Sequence, residues 1–366
     1  MQIKINREVL LKPLTSVSSI VERRHTLPIL SNLLLEAKNN TVQLTATDLE
    51  MQISLTIESK FTGELSTTIS AKKLLDICRS LPEDVEIDML SNDSRITVKT
   101  GKSRFNLQTL PAADYPVMTK ITGTGTQIGI SQIALKKLLK QVEFAMAQQD
   151  IRYYLNGLLL EVNGNKLNIV GTDGHRLSFT STTLNKTYEK TEVIIPRKTV
   201  IELIKLLDDS DNEVNIELNA GQVNFSFNEI RLISKVIDGK FPDYYRVIPV
   251  GHLNTFSVNR LSVLTAMQRA SILSNEKYRG IRMVLSNNNL KLISTNTEQE
   301  EAEEELEIDY VKDSLDIGFN VTYLIDVLNN VNDEMINFSF ADANSSCLIS
   351  VPNDENYKYV VMPMRI

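Results

Sequence analysis

Residues 171–177 read Gly-Thr-Asp-Gly-His-Arg-Leu, which brings a carboxylate, an imidazole and a guanidinium within four positions in a chain with only three histidines. These are the materials of an acid–base centre. A general base also needs a partner nucleophile or a metal, and an environment that perturbs it. His25, His175 and His252 stand in unrelated contexts, with neither zinc spacing nor a nucleophile elbow around them. Gly123, Gly125 and Gly129 form G-x-G-x-x-x-G, one residue too long for a dinucleotide loop, with no suitable strand ahead of it, so this stretch reads as a linker. Cys78 and Cys347 each sit among apolar residues and read as buried, reduced thiols. Neither a catalytic centre, a metal site nor a cofactor is expected.

The elements that position this stretch recur three times. "NLLLEAKNNTVQLTATDLEMQIS", "GLLLEVNGNKLNIVGTDGHRLSF" and "IRMVLSNNNLKLISTNTEQEEAE" each give an apolar strand, an Asn- or Gly-bearing turn, an alternating strand, then Thr-Asp or Thr-Asn. A second block, headed by Ala71, Arg197 and Val321, gives a strand end, a helix, an acidic turn and a strand. Another helical stretch precedes each hairpin. The helical spans expected are 8–17, 71–81, 132–147, 197–207, 260–273 and 321–331, although Pro13 stands inside the first. The chain therefore reads as three α+β domains, 1–122, 123–249 and 250–366, each with two helices packed on antiparallel sheets. Within that frame the histidine belongs to a diverged loop on a repeated scaffold, since the other copies read Thr-Asp-Leu-Glu and Thr-Asn-Thr-Glu.

At 366 residues the chain is long enough for several cores. No apolar run approaches the roughly 18 residues needed to cross a bilayer. The charged N-terminus is unlike a signal peptide, so a cytoplasmic protein without a membrane partner is expected. The net charge of −7 is unevenly distributed: the three repeats carry +1, 0 and −8. The six helical spans hold twelve basic residues against five acids, Lys136, Lys137, Lys140, Lys198 and Lys205 among them. One helical surface is thus built to face a polyanion, while the remainder repels it. The acid run Glu298, Glu300, Glu301, Glu303, Glu304 and Glu305 lies where the other copies have strand. Its mate is the basic surface of the first repeat, Arg95, Lys99, Lys102 and Arg104 around Phe105 and Leu107. First-repeat surface meeting third-repeat surface is a heterologous contact, which closes into a ring or grows into a filament.

The segments "LLKP", "RHTLPIL", "TDLEM", "SRFNLQTLPAADYP", "QDIRYYLNG", "TDGHRL", "IPRK", "DGKFPDYYRV", "ILSNEKYRGIR", "QEEAEEE" and "YVVMPMRI" span the whole chain. In this order they resemble the sliding clamps (β subunits) of bacterial DNA polymerase III. The resemblance implies a head-to-tail homodimer forming a six-domain ring, with helices lining the hole and sheets outside. Such a ring encircles duplex DNA without sequence specificity and confers processivity on the polymerase.

It implies a DNA-facing set of Arg24, Gln149, Arg152, Tyr153, Tyr154 and Lys198. It places Ile272, Leu273 and Lys73 at the subunit boundary beside the charged strands. It makes "GTDGHRL" one wall of a groove for short linear motifs of the polymerase, the clamp loader and repair proteins. That groove comprises Arg152, Thr172, Gly174, His175, Arg176, Leu177, Pro242, Arg246, Val247, Asn320, Tyr323, Ser346 and the C-terminal Val360, Val361, Met362, Pro363, Met364 and Arg365. Asn344 departs from the pattern, because relatives more often carry an apolar side chain there.

Overall fold

The computed structural model describes residues 2–21, 27–59, 61, 63–92, 94–119, 123 and 125–365. Arg24 and His25 lie outside the described residues. Six longer helices appear where the periodicity predicts them: Arg7–Ser18, Ala71–Ser80, Gln132–Glu143, Arg197–Leu206, Arg260–Ala270 and Val321–Asn330. Pro13 sits inside the first without ending it. The third stops at Glu143 rather than 147, with the apolar Ala145 and Met146 buried in the turn that follows. Residues 271–273 form a single 3-10 turn, so the helix expected over 260–273 ends in a tighter coil.

Strand passes into helix through a polar cap. Asn6, Ser70, Asn259 and Asn320 each accept a hydrogen bond from a backbone N–H of the first helical turn. The turns marked by Asn and Gly all hold a left-handed residue: Asn39 (φ 52°) and Asn40 (φ 60°), Gly164 (φ 59°), and Asn288 (φ 56°). The G-x-G-x-x-x-G stretch differs from its reading as linker, because Gly129 lies within the strand Thr126–Ser131. A side chain there would have to displace the exposed Glu213 carboxylate, which lies against it on the neighbouring strand.

The chain packs as two compact units, residues 1–135 with 201–236, and residues 136–200 with 237–366. The first holds a twelve-stranded sheet in which Met51–Glu58 of the first repeat pairs antiparallel with Ile230–Lys235 of the second. The second holds six- and four-stranded sheets. In the six-stranded one, Arg176–Pro196 of the second repeat pairs antiparallel with Tyr357–Val361 of the third. Sheets thus run through both junctions between repeats, which is why compactness does not follow the repeat boundaries. Both cysteines are buried and unbridged.

Candidate peptide cleft and charged surfaces

Gly157–Thr172 and Arg176–Pro196 pair along their length, and the tip between them is the Asp173–His175 turn. Its geometry comes from two side chains. Thr172 Oγ1 donates to the Arg176 carbonyl (2.6 Å) and accepts from Gly174 N (3.1 Å). Asp173 Oδ1 accepts from the backbone N–H of His175 (2.9 Å) and of Arg176 (3.0 Å). Thr47 and Asp48 make the same bonds in the first repeat, to Met51 O, Leu49 N, Glu50 N and Met51 N. In the third, Asn296 Oδ1 accepts from Glu298 N and Glu300 N. Thr-Asp is therefore turn chemistry, a carboxylate standing in for a backbone carbonyl. Asp173 orients backbone and not the His175 imidazole, for which no hydrogen bond is found among the described residues.

A half-open cleft of about 120 Å³ adjoins this turn. Arg152, Tyr154, Leu155, Thr172, Gly174, His175, Arg176, Leu177, Pro242, Val247, Val360 and Met362 line it. Its floor is an apolar cluster joining Leu159, Val170, Leu177 and Phe179 to Phe241, Tyr244 and Val360. Leu177 lies opposite Val360 in the ladder, so strand register sets this wall. The C-terminal segment is anchored: Met362 N donates to His175 O (2.9 Å) and Met364 N to Gly318 O (2.7 Å). Arg152 reaches over Gly174, held by a bidentate pair to Asp150 (3.0 and 2.9 Å) and a bond to Asp173 O (3.0 Å). The Arg152 guanidinium holds the Asp150 carboxyl down at about 2.

Beneath the opposite wall lies a residue that the sequence reading passed over. Glu161 is 2% exposed and accepts from Tyr244 OH (2.7 Å) and Asn168 (3.0 Å), and its other oxygen pairs with Lys190 (3.0 Å). Burial pushes this carboxyl up, but the bonds from Tyr244, Asn168 and Lys190 outweigh it and hold it below the usual carboxylate range. The network fixes the short helix Tyr244–Val247, and with it Val247. A charge inside the apolar run "LLLEV" was the available signal. Leu155 was also missed.

The groove residues expected from the resemblance divide in two. Arg152, Thr172, Gly174, His175, Arg176, Leu177, Pro242, Val247, Val360 and Met362 converge on the cleft, whereas others do other things. Arg246 is exposed and pairs with Asp243 (3.0 Å). Asn320 caps the helix Val321–Asn330, and Tyr323 lies under the Arg176 guanidinium (4.5 Å). Val361 is buried in its strand, while Ser346, Pro363, Met364 and Arg365 are not part of the lining. Asn344 is exposed on a tight turn, its N–H bonded to Asp342 Oδ1, away from the lining.

Of the residues expected to face DNA, Lys137, Lys140, Lys198, Lys205, Gln149 and Tyr153 are exposed, and Lys136 is half-buried. Lys205 pairs with Glu202 (2.8 Å). Tyr154 of the same expected set is half-buried and also forms part of the cleft lining. Of the twelve helical cations, Lys12 also pairs with Asp208 (3.8 Å), and three arginines are engaged by the fold itself. Arg197 donates to Glu143 O and Met146 O, Arg260 to Leu328 O and Asp333 O, and Arg269 forms a bidentate pair with Glu304.

The acid run is ordered. Glu301–Glu307 is an edge strand of the four-stranded sheet, with alternating exposed glutamates. Lys291 neutralises Glu303 (2.7 Å) and Glu305 (3.0 Å) from the adjoining strand, while Glu298, Glu300 and Glu301 are exposed. Ile272 is 75% exposed beside this strand, with Leu273 half-buried. On the first repeat Arg95, Arg104 and Lys73 are exposed, Phe105 is half-buried and Leu107 buried.

The described residues thus form a thrice-repeated scaffold with a small apolar cleft and two unlike charged edges. Comparison with known proteins shows the family to which this scaffold belongs. The DNA polymerase III beta subunit family matches through its N-terminal, central and C-terminal domains, at residues 1–119, 129–243 and 245–365. The beta sliding clamp of Pseudomonas aeruginosa is 46% identical over 370 residues, and that of Escherichia coli K12 is 42% identical over 367, each covering 100% of both chains. The crystal structure of the Pseudomonas aeruginosa clamp bound to griselimycin superposes with a TM-score of 0.97 over 100% of both chains at 46% identity. The Caulobacter crescentus pol III beta structure gives 0.95 at 37%, again over 100% of both chains. The chain belongs to the bacterial DNA polymerase III beta subunit family: it is a DNA sliding clamp of the replicative polymerase, a processivity factor and not an enzyme.

Proposed function

We propose that two copies of this chain, each with repeats over 1–122, 123–249 and 250–366, close head to tail into a six-domain ring around duplex DNA. The observation that carries this reading is the repeated junction. Met51–Glu58 pairs with Ile230–Lys235, and the equivalent Arg176–Pro196 pairs with Tyr357–Val361. The third equivalent, Glu301–Glu307, is an edge strand, paired on one side only among the described residues. Its counterpart by repeat is the first-repeat strand Ser103–Pro111, whose residues 103–108 pair on one side only among the described residues.

The hairpin contacts transfer the register. Thr47↔Gln52, Thr172↔Leu177 and Thr295↔Glu301 are equivalent pairs, so Glu301 stands where Gln52 does. Phe227↔Ile230 and Thr100↔Ser103 close equivalent turns, so Arg104 stands where Arg231 does. The observed Ser54↔Arg231 pair then becomes Glu303 opposite Arg104 of a second copy. Opposite charges facing across strands attract, whereas two glutamate edges repel, so the acid strand selects a basic mate. Ile272, Leu273 and Phe105 add apolar surface at this contact, with Lys73, Arg95, Leu107, Glu298, Glu300 and Glu304 around it.

Lys136, Lys137, Lys140, Lys198, Lys205, Gln149, Tyr153 and Arg24 face DNA through phosphate and sugar, which gives grip without sequence preference. The cleft takes short linear motifs of the polymerase, the clamp loader and repair proteins: its apolar floor holds the motif, and a few polar groups orient it.

Solution mass tests the ring. The wild type should weigh as a dimer, and Arg104→Glu should give folded monomers. Adding Glu303→Arg should restore the dimer, because the swapped pair faces in the same register. Monomeric wild-type protein would overturn the reading.

A further inference from the structure

Arg176 lines the cleft, yet its donors are engaged elsewhere. Nε donates to Asp173 Oδ2 (3.1 Å), one terminal nitrogen to Asp326 Oδ2 (2.5 Å) and the other to Phe144 O (2.6 Å). Its plane lies over the Tyr323 ring at 4.5 Å, and only 10% of the side chain is exposed. Each guanidinium nitrogen thus makes one bond within the fold, which uses three of the five N–H donors, and the Tyr359 side chain bonds the group as well. A cation this buried persists only while its partners stay in place. The same residue carries the turn: its N–H is bonded to Asp173 Oδ1, and its carbonyl accepts from Thr172 Oγ1.

Asp326 belongs to the helix Val321–Asn330 of the third repeat and does not line the cleft. Its carboxylate supplies the hydrogen bond that ties Arg176 to that helix, beside the Tyr323 ring contact. We propose that Asp326 is a positioning residue of the cleft: without touching a ligand, it holds Arg176 and so fixes the Thr172–Leu177 wall in its ligand-ready form. This inference rests on the reading of the cleft as a peptide site.

The test uses the full chain. Asp326→Asn removes the charge at nearly constant shape. Hydrogen exchange at the His175 and Arg176 amides should quicken, and a Gln-Leu-x-Leu-Phe peptide should bind about tenfold more weakly by calorimetry. The melting midpoint and dimer mass should hold. Asp326→Glu, which keeps the charge, should recover most of the affinity; a general packing role would not be rescued in this way. If Asp326→Asn lowers the melting midpoint, Tyr323→Leu, which removes the ring under Arg176 and keeps the carbonyl, decides by the same exchange measurement. Unchanged exchange and unchanged affinity in Asp326→Asn would overturn the proposal. A wild type that leaves the peptide unbound would overturn the peptide reading, while exchange at His175 and Arg176 still decides whether Asp326 holds the wall.

Discussion

Gly174 occupies the one place in the turn where two demands meet. Its φ of 88° lies in the left-handed region, and a Cβ would sit 2.7 Å from an Arg152 terminal nitrogen. Leu49 adopts the equivalent backbone (φ 75°) in the first repeat, so the conformation alone does not exclude a side chain. Gly174→Ala should therefore fold but dislodge Arg152 from over the turn, weakening the peptide measurably by calorimetry. His175→Gln should weaken it only modestly, since glutamine keeps hydrogen bonding and loses the ring.

The thiols offer a separate check at this scale. Burial pushes Cys78 up to about 11 from an ordinary value of 9.0, against a smaller opposing pull from Arg7, and burial raises Cys347 as well. An acid raised by folding contributes stability below its unfolded value and loses it as pH rises through the folded one. For Cys78 that window runs from pH 9 to about 11. Both thiols should ignore a thiol reagent at pH 8 in the native protein and react once it is unfolded.

Among the elements, the C-terminal strand Tyr357–Val361 with the residues after it decides most. It completes the six-stranded sheet, supplies Val360 to the floor and Met362 to the lining, and is tied down at His175 and Gly318. Loose chain ends are seldom so apolar or so well bonded. Deleting residues 362–366 should abolish peptide binding while leaving the dimer mass unchanged, because no residue of the proposed subunit contact lies there. Calorimetry and light scattering on one preparation check both halves. The apolar density of "YVVMPMRI" made this element legible in the sequence. The Glu161 network behind the opposite wall was not, because its partners Asn168, Lys190 and Tyr244 come from separate segments.

For the whole molecule, the proposed opposition between basic helices and an acidic remainder has a smaller effective cation count to work with. Arg197, Arg260 and Arg269 are bound to carbonyls or to Glu304, and Lys12 and Lys205 pair with Asp208 and Glu202, so the proposed polyanion-facing charge falls mainly to exposed lysines such as Lys137, Lys140 and Lys198. Lys136→Glu, Lys140→Glu and Lys198→Glu together should impair loading and processive synthesis, with dimer mass and melting intact. Because such contacts release counterions, the wild type's hold on linear DNA should weaken steeply with salt while rings on closed circles persist. Normal processivity in the triple variant would remove the inner-face assignment. At the subunit contact, Ile272→Ala with Leu273→Ala should shift the mass from dimer to monomer.

What the sequence determined by itself was the repeat: strand, turn and helix recur because turn residues, caps and apolar periodicity act over a few positions. The class of protein and the general course of the cleft wall followed from the segments that resemble the clamps. Only the tertiary structure decided what the opening aspartate does. Asp173 bonds backbone, and the cation beside it reaches Asp326, 150 residues away along the chain. It also moved Tyr154 into the cleft and drew Arg269 onto Glu304. The reason is range: caps and turns are local, whereas a guanidinium's partners are chosen by which strands the fold brings beside it.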